Sequence, residues 1–484
     1  MDKHITRREL LKRGAIAGAA ALSAPFIHHR HAQAAGVIDP AAARSFGASL
    51  KGRLIVPGDA EYDAARRVWN RRYDKHPAMI ARCAGADDVR RSVEFGRRWN
   101  LPAAIRSGGH SFAGYSTCDG GLVIDLSQMK RVQVDSAKRL ARAEPGILIA
   151  DFDNTVAPFG LAASLGACPD VGVGGLTLGG GNGWLESVYG TACDNLVAVE
   201  LVTADGDLRR ANADERPDLY WAMRGAGANF GVATALEYKL HPVTTIMFGS
   251  LEYRPAQVRD VLRFLRGYAP HVPDQLVLIL DVPGQFGESG LELSVAYVGD
   301  PKNGEPIIKQ LRDATRPISG VIQPTPYKDT VGSEAPPGGP FASYRRAGFF
   351  ATIGDPMIEA VIESVATRPS KWSKLTFFFA HGARCRIAPT ATAYSLRQVG
   401  FECWIQTYWT APAAAAKSIE WVNQFWERTG AFATGRVYVN YLEDEGAERV
   451  RAAYGLNYDR LVALKNKYDP TDFFRINQNI RPTV

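Results

Sequence analysis

The sequence predicts an α+β fold in two parts with a C-terminal return, and three observations predict it. Between residues 45 and 245, short strands and helices alternate at close intervals around two glycine-dense loops. From residue 246 the strands lengthen, at 276–282, 291–298, 374–380 and 400–410, and helical stretches separate them. That is the pattern of an antiparallel sheet covered by helices. From residue 436 to 484 the texture returns to short helix and turn. A chain of 484 residues is also long for one core. The expected parts are therefore 1–34, 45–245, 246–435 and 436–484.

The N-terminus reads as an address. Thr6-Arg7-Arg8-Glu9-Leu10-Leu11-Lys12 precedes an apolar run over 14–27 and the small residues Ala32-Gln33-Ala34. The run is too short to span a bilayer, and the whole resembles a twin-arginine signal. Export to the periplasm or beyond is expected, and cargo on that route is folded and commonly carries a cofactor. The leader also holds most of the formal charge. It has six basic residues against two acidic ones, so it accounts for four of the seven net positive charges. The remaining three are too few for a polyanion partner, so no nucleic acid is expected. Arg66, Arg67, Arg71 and Arg72 sit at helical spacing and read as a solvated helix face. No later segment is long and apolar enough for a membrane anchor. The six cysteines show neither a C-x-x-C pair nor metal-ligand spacing, so no metal is expected.

A strand over 79–83 and a helix over 87–99, with acidic residues in its first turn, lead to a strand over 103–106. This runs into the first glycine loop, Ser107-Gly108-Gly109-His110-Ser111-Phe112-Ala113-Gly114. Glycines after a strand let backbone N–H groups approach an anion closely. Short strands at 122–126, 132–134 and 140–143 and a helix over 148–159 follow. The second loop then places eight glycines between Gly166 and Gly183. Such density excludes a packed helix or strand interior and implies backbone lying against something large and flat or anionic. Neither loop is G-x-x-x-x-G-K-[ST], and neither opens a βαβ unit as G-x-G-x-x-G should. A strand over 195–203 completes this part. Beyond it, 248–253 reads as a strand and 256–268 as a helix. Another helix is expected over 306–314, a surface loop over 324–340 and a helix over 411–428. A strand over 436–441 and a helix over 456–467 close the chain.

Arg106-Ser107-Gly108-Gly109-His110-Ser111, Asp119 through Ser127, Cys168 through Gly181 and Asn229-Phe230-Gly231-Val232 together resemble the berberine-bridge-enzyme-like family. Tyr438-Val439-Asn440-Tyr441 and Tyr468 through Phe474 extend the resemblance over nearly the whole mature chain. It is weakest between 250 and 400. The resemblance implies a two-part FAD-binding domain of the vanillyl-alcohol oxidase and p-cresol methylhydroxylase type. It implies FAD bonded through His110 to the flavin 8-methyl carbon and through Cys168 to ring carbon six. Cofactor contacts are expected from Arg106, Ser107, Gly108, Gly109, Ser111, Gly114, Val171, Gly172, Gly174, Gly175, Gly179, Gly183, Val232, Tyr438 and Asn440.

Tyr441 matches the family's active-site tyrosine. A phenol with an ordinary pKa of about 10 must be tuned by neighbours to serve as a base. Glu402, Trp404, Gln406 and Tyr408 alternate with period two and share one strand face. Glu402 either activates Tyr441 or is a satisfied structural carboxylate. Trp404, Tyr408 and Trp409 either stack on a sugar or belong to the core. Val171, three residues after Cys168, stands where the family places a gate for oxygen, and valine there goes with oxidases. The resulting expectation is an oxidase that takes a hydride from a hydroxyl-bearing small molecule, with oligosaccharides and alcohols leading, and reduces O₂ to hydrogen peroxide. The alternatives are oxidation of a secondary metabolite, a dehydrogenase with a quinone-like acceptor, and a flavin-carrying protein without turnover.

Overall fold

A computed structural model describes residues 38–283, 290–332, 336, 339 and 341–484. The expected leader, 1–34, lies outside the described residues. Three sheets organise the rest.

The first sheet holds β1 (Arg53–Ile55), β2 (Met79–Arg82), β3 (Ala103–Arg106) and β4 (Leu122–Asp125) in the order β1-β2-β4-β3. Strands β2, β4 and β3 are parallel, and β1 is antiparallel to β2. All four side chains of β4 are buried, as a central parallel strand requires. The helix Ala86–Arg98 carries Asp87 and Asp88 in its first turn and Arg97 and Arg98 in its last, each sign matched to the helix dipole. Asp88 also accepts the N–H groups of Lys51, Gly52 and Ala84 at 2.8–2.9 Å, which ties β1 to the helix. Strand β3 then delivers the first glycine loop at its C-terminal end.

The second sheet is antiparallel, with β5 (Val132–Asp135), β6 (Leu140–Ala143), β7 (Leu196–Val202), β8 (Leu208–Asn212) and β9 (Val232–Lys239) in the order β5-β6-β9-β7-β8. Its core joins Val199, Leu201 and Leu236 to Phe152, Leu219 and Met223 of the adjacent helices.

The third sheet comprises β10 (Thr245–Tyr253), β11 (Leu276–Val282), β12 (Leu291–Tyr297), β13 (Ile322–Pro326), β14 (Ala342–Phe350), β15 (Lys374–Ala380) and β16 (Gly400–Trp409). Every pairing is antiparallel, in the order β13-β10-β12-β11-β15-β16-β14. Period-two alternation divides its side chains. Leu293, Phe377, Phe401 and Ile405 meet Leu262, Leu265, Ile358, Val422 and Phe425 of the covering helices Val258–Tyr268, Asp355–Ala366 and Ala415–Thr429. The opposite face, with Ile279, Asp281, Phe378 and Trp404, lines a cavity. The C-terminal segment packs Phe473 and Phe474 into the core of the first sheet.

Four local expectations are corrected. The arginine run is not a helix face: the helix ends at Arg66, because Trp69 N–H bonds to Gly109 and Arg71 N–H to Phe341, drawing the backbone into long-range pairs. Residues 436–441 form no strand; Val439–Tyr441 is a single 3₁₀ turn closed by Tyr441 N–H on the Tyr438 carbonyl. The second glycine loop does contain a packed helix, Val173–Gly179, whose glycines permit close backbone contact. A Cβ on Gly174 would stand 2.8 Å from Pro145 Cβ. The stretch expected as a loop from 324 begins inside β13, which pairs with β10.

Candidate functional site

The main cavity, about 580 Å³, lies where the two glycine loops meet the open face of the third sheet and the C-terminal segment. The two loops touch backbone to backbone: a Cβ on Gly108 would lie 2.4 Å from Gly172 N, and one on Gly172 would lie 2.2 Å from Ser107 Oγ. Any side chain there would push them apart. Gly109, at φ +74°, takes a turn that favours glycine. A Cβ on Gly175 would meet nothing within 4 Å, so this glycine leaves backbone open to the cavity.

Of the residues expected from sequence, Ser107, Gly108, Gly109, His110, Ser111, Cys168, Val171, Gly172, Gly174, Gly175, Gly179, Gly183, Tyr438, Asn440 and Tyr441 all line this cavity. The structure places four others behind its wall. Arg106 turns away to the Ala65 carbonyl, and burial lowers its pKa. Gly114, at φ +66°, packs under the Tyr73 ring. Val232 is fully buried at the start of β9, while its neighbours Gly231 and Ala233 reach the wall. Glu402 lies one layer deeper, as described below.

His110 is stacked on Trp69 at 4.3 Å between ring centroids, with Phe112 edge-on to it. Its Nε2 is buried without a hydrogen-bond partner among the described residues, 3.6 Å from Asp170 Oδ1. The imidazole beside Asp170 holds that carboxyl below its ordinary pKa. A ring clamped flat with one buried nitrogen unsatisfied is set up to receive a bond from something in the cavity. That nitrogen, together with the open backbone at Gly175, fits a large planar cofactor carrying an anionic tail.

Across the cavity, Tyr441 packs on Trp404 at 4.7 Å and meets Tyr438 edge-on at 4.7 Å. Tyr438 is committed: its hydroxyl accepts from Gly181 N–H and from the Asn440 amide, both at 2.7 Å, and burial drives its pKa upward. The Arg345 guanidinium is fully buried, 3.3 Å from the Phe112 ring centroid and 5.5 Å from that of Tyr441. Gln406 accepts a hydrogen bond from it at 2.5 Å. Of the aromatic trio on β16, only Trp404 reaches the cavity; Tyr408 and Trp409 are buried elsewhere.

Glu402 accepts both hydrogen bonds of the Asn182 amide, at 2.9 and 3.1 Å, and one from Arg384 at 2.5 Å. Arg384 is itself fully buried and also binds Glu186 at 2.5 Å. Two interior carboxylates thus share one guanidinium, and burial pushes Glu186 up to about 7. Asn182, not Glu402, faces the cavity.

Sequence reasoning missed Trp69, Phe112, Asp170, Asn182 and Arg345. Asn182 had a signal, as the one amide inside a run of glycines. Arg345 had none, since β14 was not foreseen. Also missed was the polar end of the cavity, where Asp281 accepts from Lys374 Nζ at 3.0 Å and from Thr376 at 2.5 Å, with Glu292 and Ser294 beside it.

A family model described as "FAD binding domain" matches residues 77–212, and one described as "Berberine and berberine like" matches 437–481. The chain is 32% identical over 453 residues to (R)-6-hydroxynicotine oxidase of Paenarthrobacter nicotinovorans, covering 90% of this chain and 97% of that one. It is 26% identical over 474 residues to a carbohydrate oxidase of Microdochium nivale, covering 89% and 92%. The crystal structure of 6-hydroxy-D-nicotine oxidase from Arthrobacter nicotinovorans superposes with a TM-score of 0.81 at 30% identity, over 89% of this chain and 98% of that one. Fold, loops and relatives together make this chain a member of the berberine-bridge-enzyme-like FAD-linked oxidoreductases. It is a flavoenzyme with an FAD-binding domain of the vanillyl-alcohol oxidase type.

Proposed function

We propose that this enzyme is an exported oxidase that carries FAD on two covalent bonds, through His110 and Cys168, and oxidises a hydroxyl-bearing small molecule such as an oligosaccharide or alcohol. The observation that carries the reading is that both residues, from separate glycine loops, line one cavity that also holds Tyr441. FAD held by His110 and Cys168 would supply the acceptor for a hydride from the substrate carbon and the route for the electron pair to O₂, with hydrogen peroxide as product. The protein's own residues orient the substrate and move one proton. Tyr441 takes the proton from the substrate hydroxyl as the hydride leaves. Arg345 sets a buried positive charge beside the Tyr441 ring, which favours the phenolate that accepts this proton. The residues 45–245 and 436–484 form the cofactor-binding part, and 246–435, which contains the third sheet apart from the first residue of β10, forms the substrate-binding part. Residues 1–34 are the export leader.

An amine-bearing secondary metabolite is the second reading. Two observations favour it: the carboxylates Asp281 and Glu292 in the cavity wall, and the name of the nicotine oxidase relative. A screen for peroxide release across sugars, alcohols, aromatic alcohols and amines separates the two. Failure of every substrate to yield peroxide, with electrons passing instead to a quinone, refutes the oxidase.

A further inference from the structure

A second cavity, about 260 Å³, is lined by Asp153 and Val156 of the helix Ile149–Val156 and shares no lining residue with the first. Its outer rim includes the exposed Thr244 and Pro326. Its walls carry the apolar Val156, Leu161 and Val243 and the buried ring of Tyr327, beside Thr245 and Lys328. Among the residues lining it, Asp153 is the single acidic side chain. Asp153 is 1% exposed, and neither of its carboxyl oxygens has a hydrogen-bond partner among the described residues. Two orphaned acceptors on one buried group are costly, and a native fold ordinarily satisfies them.

We propose that this cavity binds a small organic cation, an ammonium head on a short apolar tail, with the head seated on Asp153. The head supplies the N–H donors that both oxygens lack, as charge-assisted bonds. The tail fits the aliphatic walls. At ~30 Å³ for each water the space equals roughly nine waters, enough for a molecule of several heavy atoms. A divalent metal is the wrong occupant, because Ca²⁺ asks for six to eight oxygen ligands and Mg²⁺ for an octahedron. Lys328 at the rim does not oppose a cation, since its ammonium is held by Asp329 at 2.7 Å. Without such a partner, burial pushes the Asp153 carboxyl well above its ordinary pKa.

The test is calorimetric titration of the flavin-loaded enzyme with butylammonium chloride at constant ionic strength, with 1-butanol as the neutral counterpart. The expected result is one saturable site that binds 1-butanol at least tenfold more weakly and leaves the flavin absorption spectrum unchanged. Asp153→Asn should weaken butylammonium at least tenfold. Thr244→Trp, at an exposed rim position, should block the site with Asp153 intact, and it decides the matter alone if Asp153→Asn does not fold. Unsaturable heat, equal affinity for 1-butanol, or wild-type affinity in either folded variant overturns the proposal. So does competition with substrate, which puts the cation in the main cavity.

Discussion

His110 has a buried nitrogen without a hydrogen-bond partner among the described residues, and Tyr441 has a buried cation beside it. His110→Ala and Cys168→Ala should each leave flavin attached through the other bond, and the double variant should release all of it on acid precipitation. Complete release from the wild-type protein removes the two-bond reading. Tyr441→Phe should keep the attachment and slow anaerobic flavin reduction by substrate about a hundredfold, the scale of one acid–base group. Glu402→Gln should have a smaller effect, because Glu402 spends its hydrogen bonds on Asn182 and Arg384. An effect on reduction as large as that of Tyr441→Phe puts Glu402 in the proton path. Val171 lies in the cavity wall three residues from Cys168. One added methylene at a close-packed position can fill the space a diatomic needs, so Val171→Leu should slow reoxidation by O₂ in stopped flow. Equal reoxidation rates place the gate elsewhere.

At the scale of elements, the helix Val173–Gly179 offers two glycines of opposite kind. A Cβ on Gly179 would lie 2.0 Å from Asn440 Oδ1, inside the protein, while one on Gly175 would point into open cavity. Gly179→Ala should therefore cost stability, about 1–3 kcal/mol for overpacking, seen as a lower Tm even without cofactor. Gly175→Ala should leave the cofactor-free protein as stable as wild type yet reduce its flavin content. Wild-type flavin loading in Gly175→Ala shows that the cofactor does not lie against this helix.

The whole molecule registers the buried charges through pH. Burial lifts both Glu186 and Glu443 to about 7, against an ordinary value of 4.5. Between those values the folded chain holds protons that the unfolded chain has released. Stability from these groups is thus full below pH 4.5 and is lost as pH rises towards 7. Glu186→Gln removes its share of that loss. The Tm of the variant relative to wild type should rise from pH 5 to pH 7.5 in thermal unfolding. A relative Tm that falls over the same range means that the ion pair with Arg384 outweighs burial.

The fold class was legible in the sequence from the spacing of its strands and helices, and the family from the motifs of the two glycine loops and the C-terminal segment; that resemblance pointed to fifteen residues that line the cavity. The exact strand spans Leu276–Val282 and Lys374–Ala380 were likewise legible, as short runs rich in apolar and β-forming residues. Only the tertiary structure decided what packs against those cavity residues. Trp69 meets His110 because backbone pairs with Gly109 and Phe341 end the helix before it. Arg345 meets Tyr441 because β14 pairs with β16, an edge that no local signal announced. Glu402 looked like a cavity residue from its alternation with Trp404, yet Arg384, eighteen positions earlier, draws it into the interior. Periodicity assigns a side chain to a face, but the charge it pairs with is set by distant segments that only folding brings together.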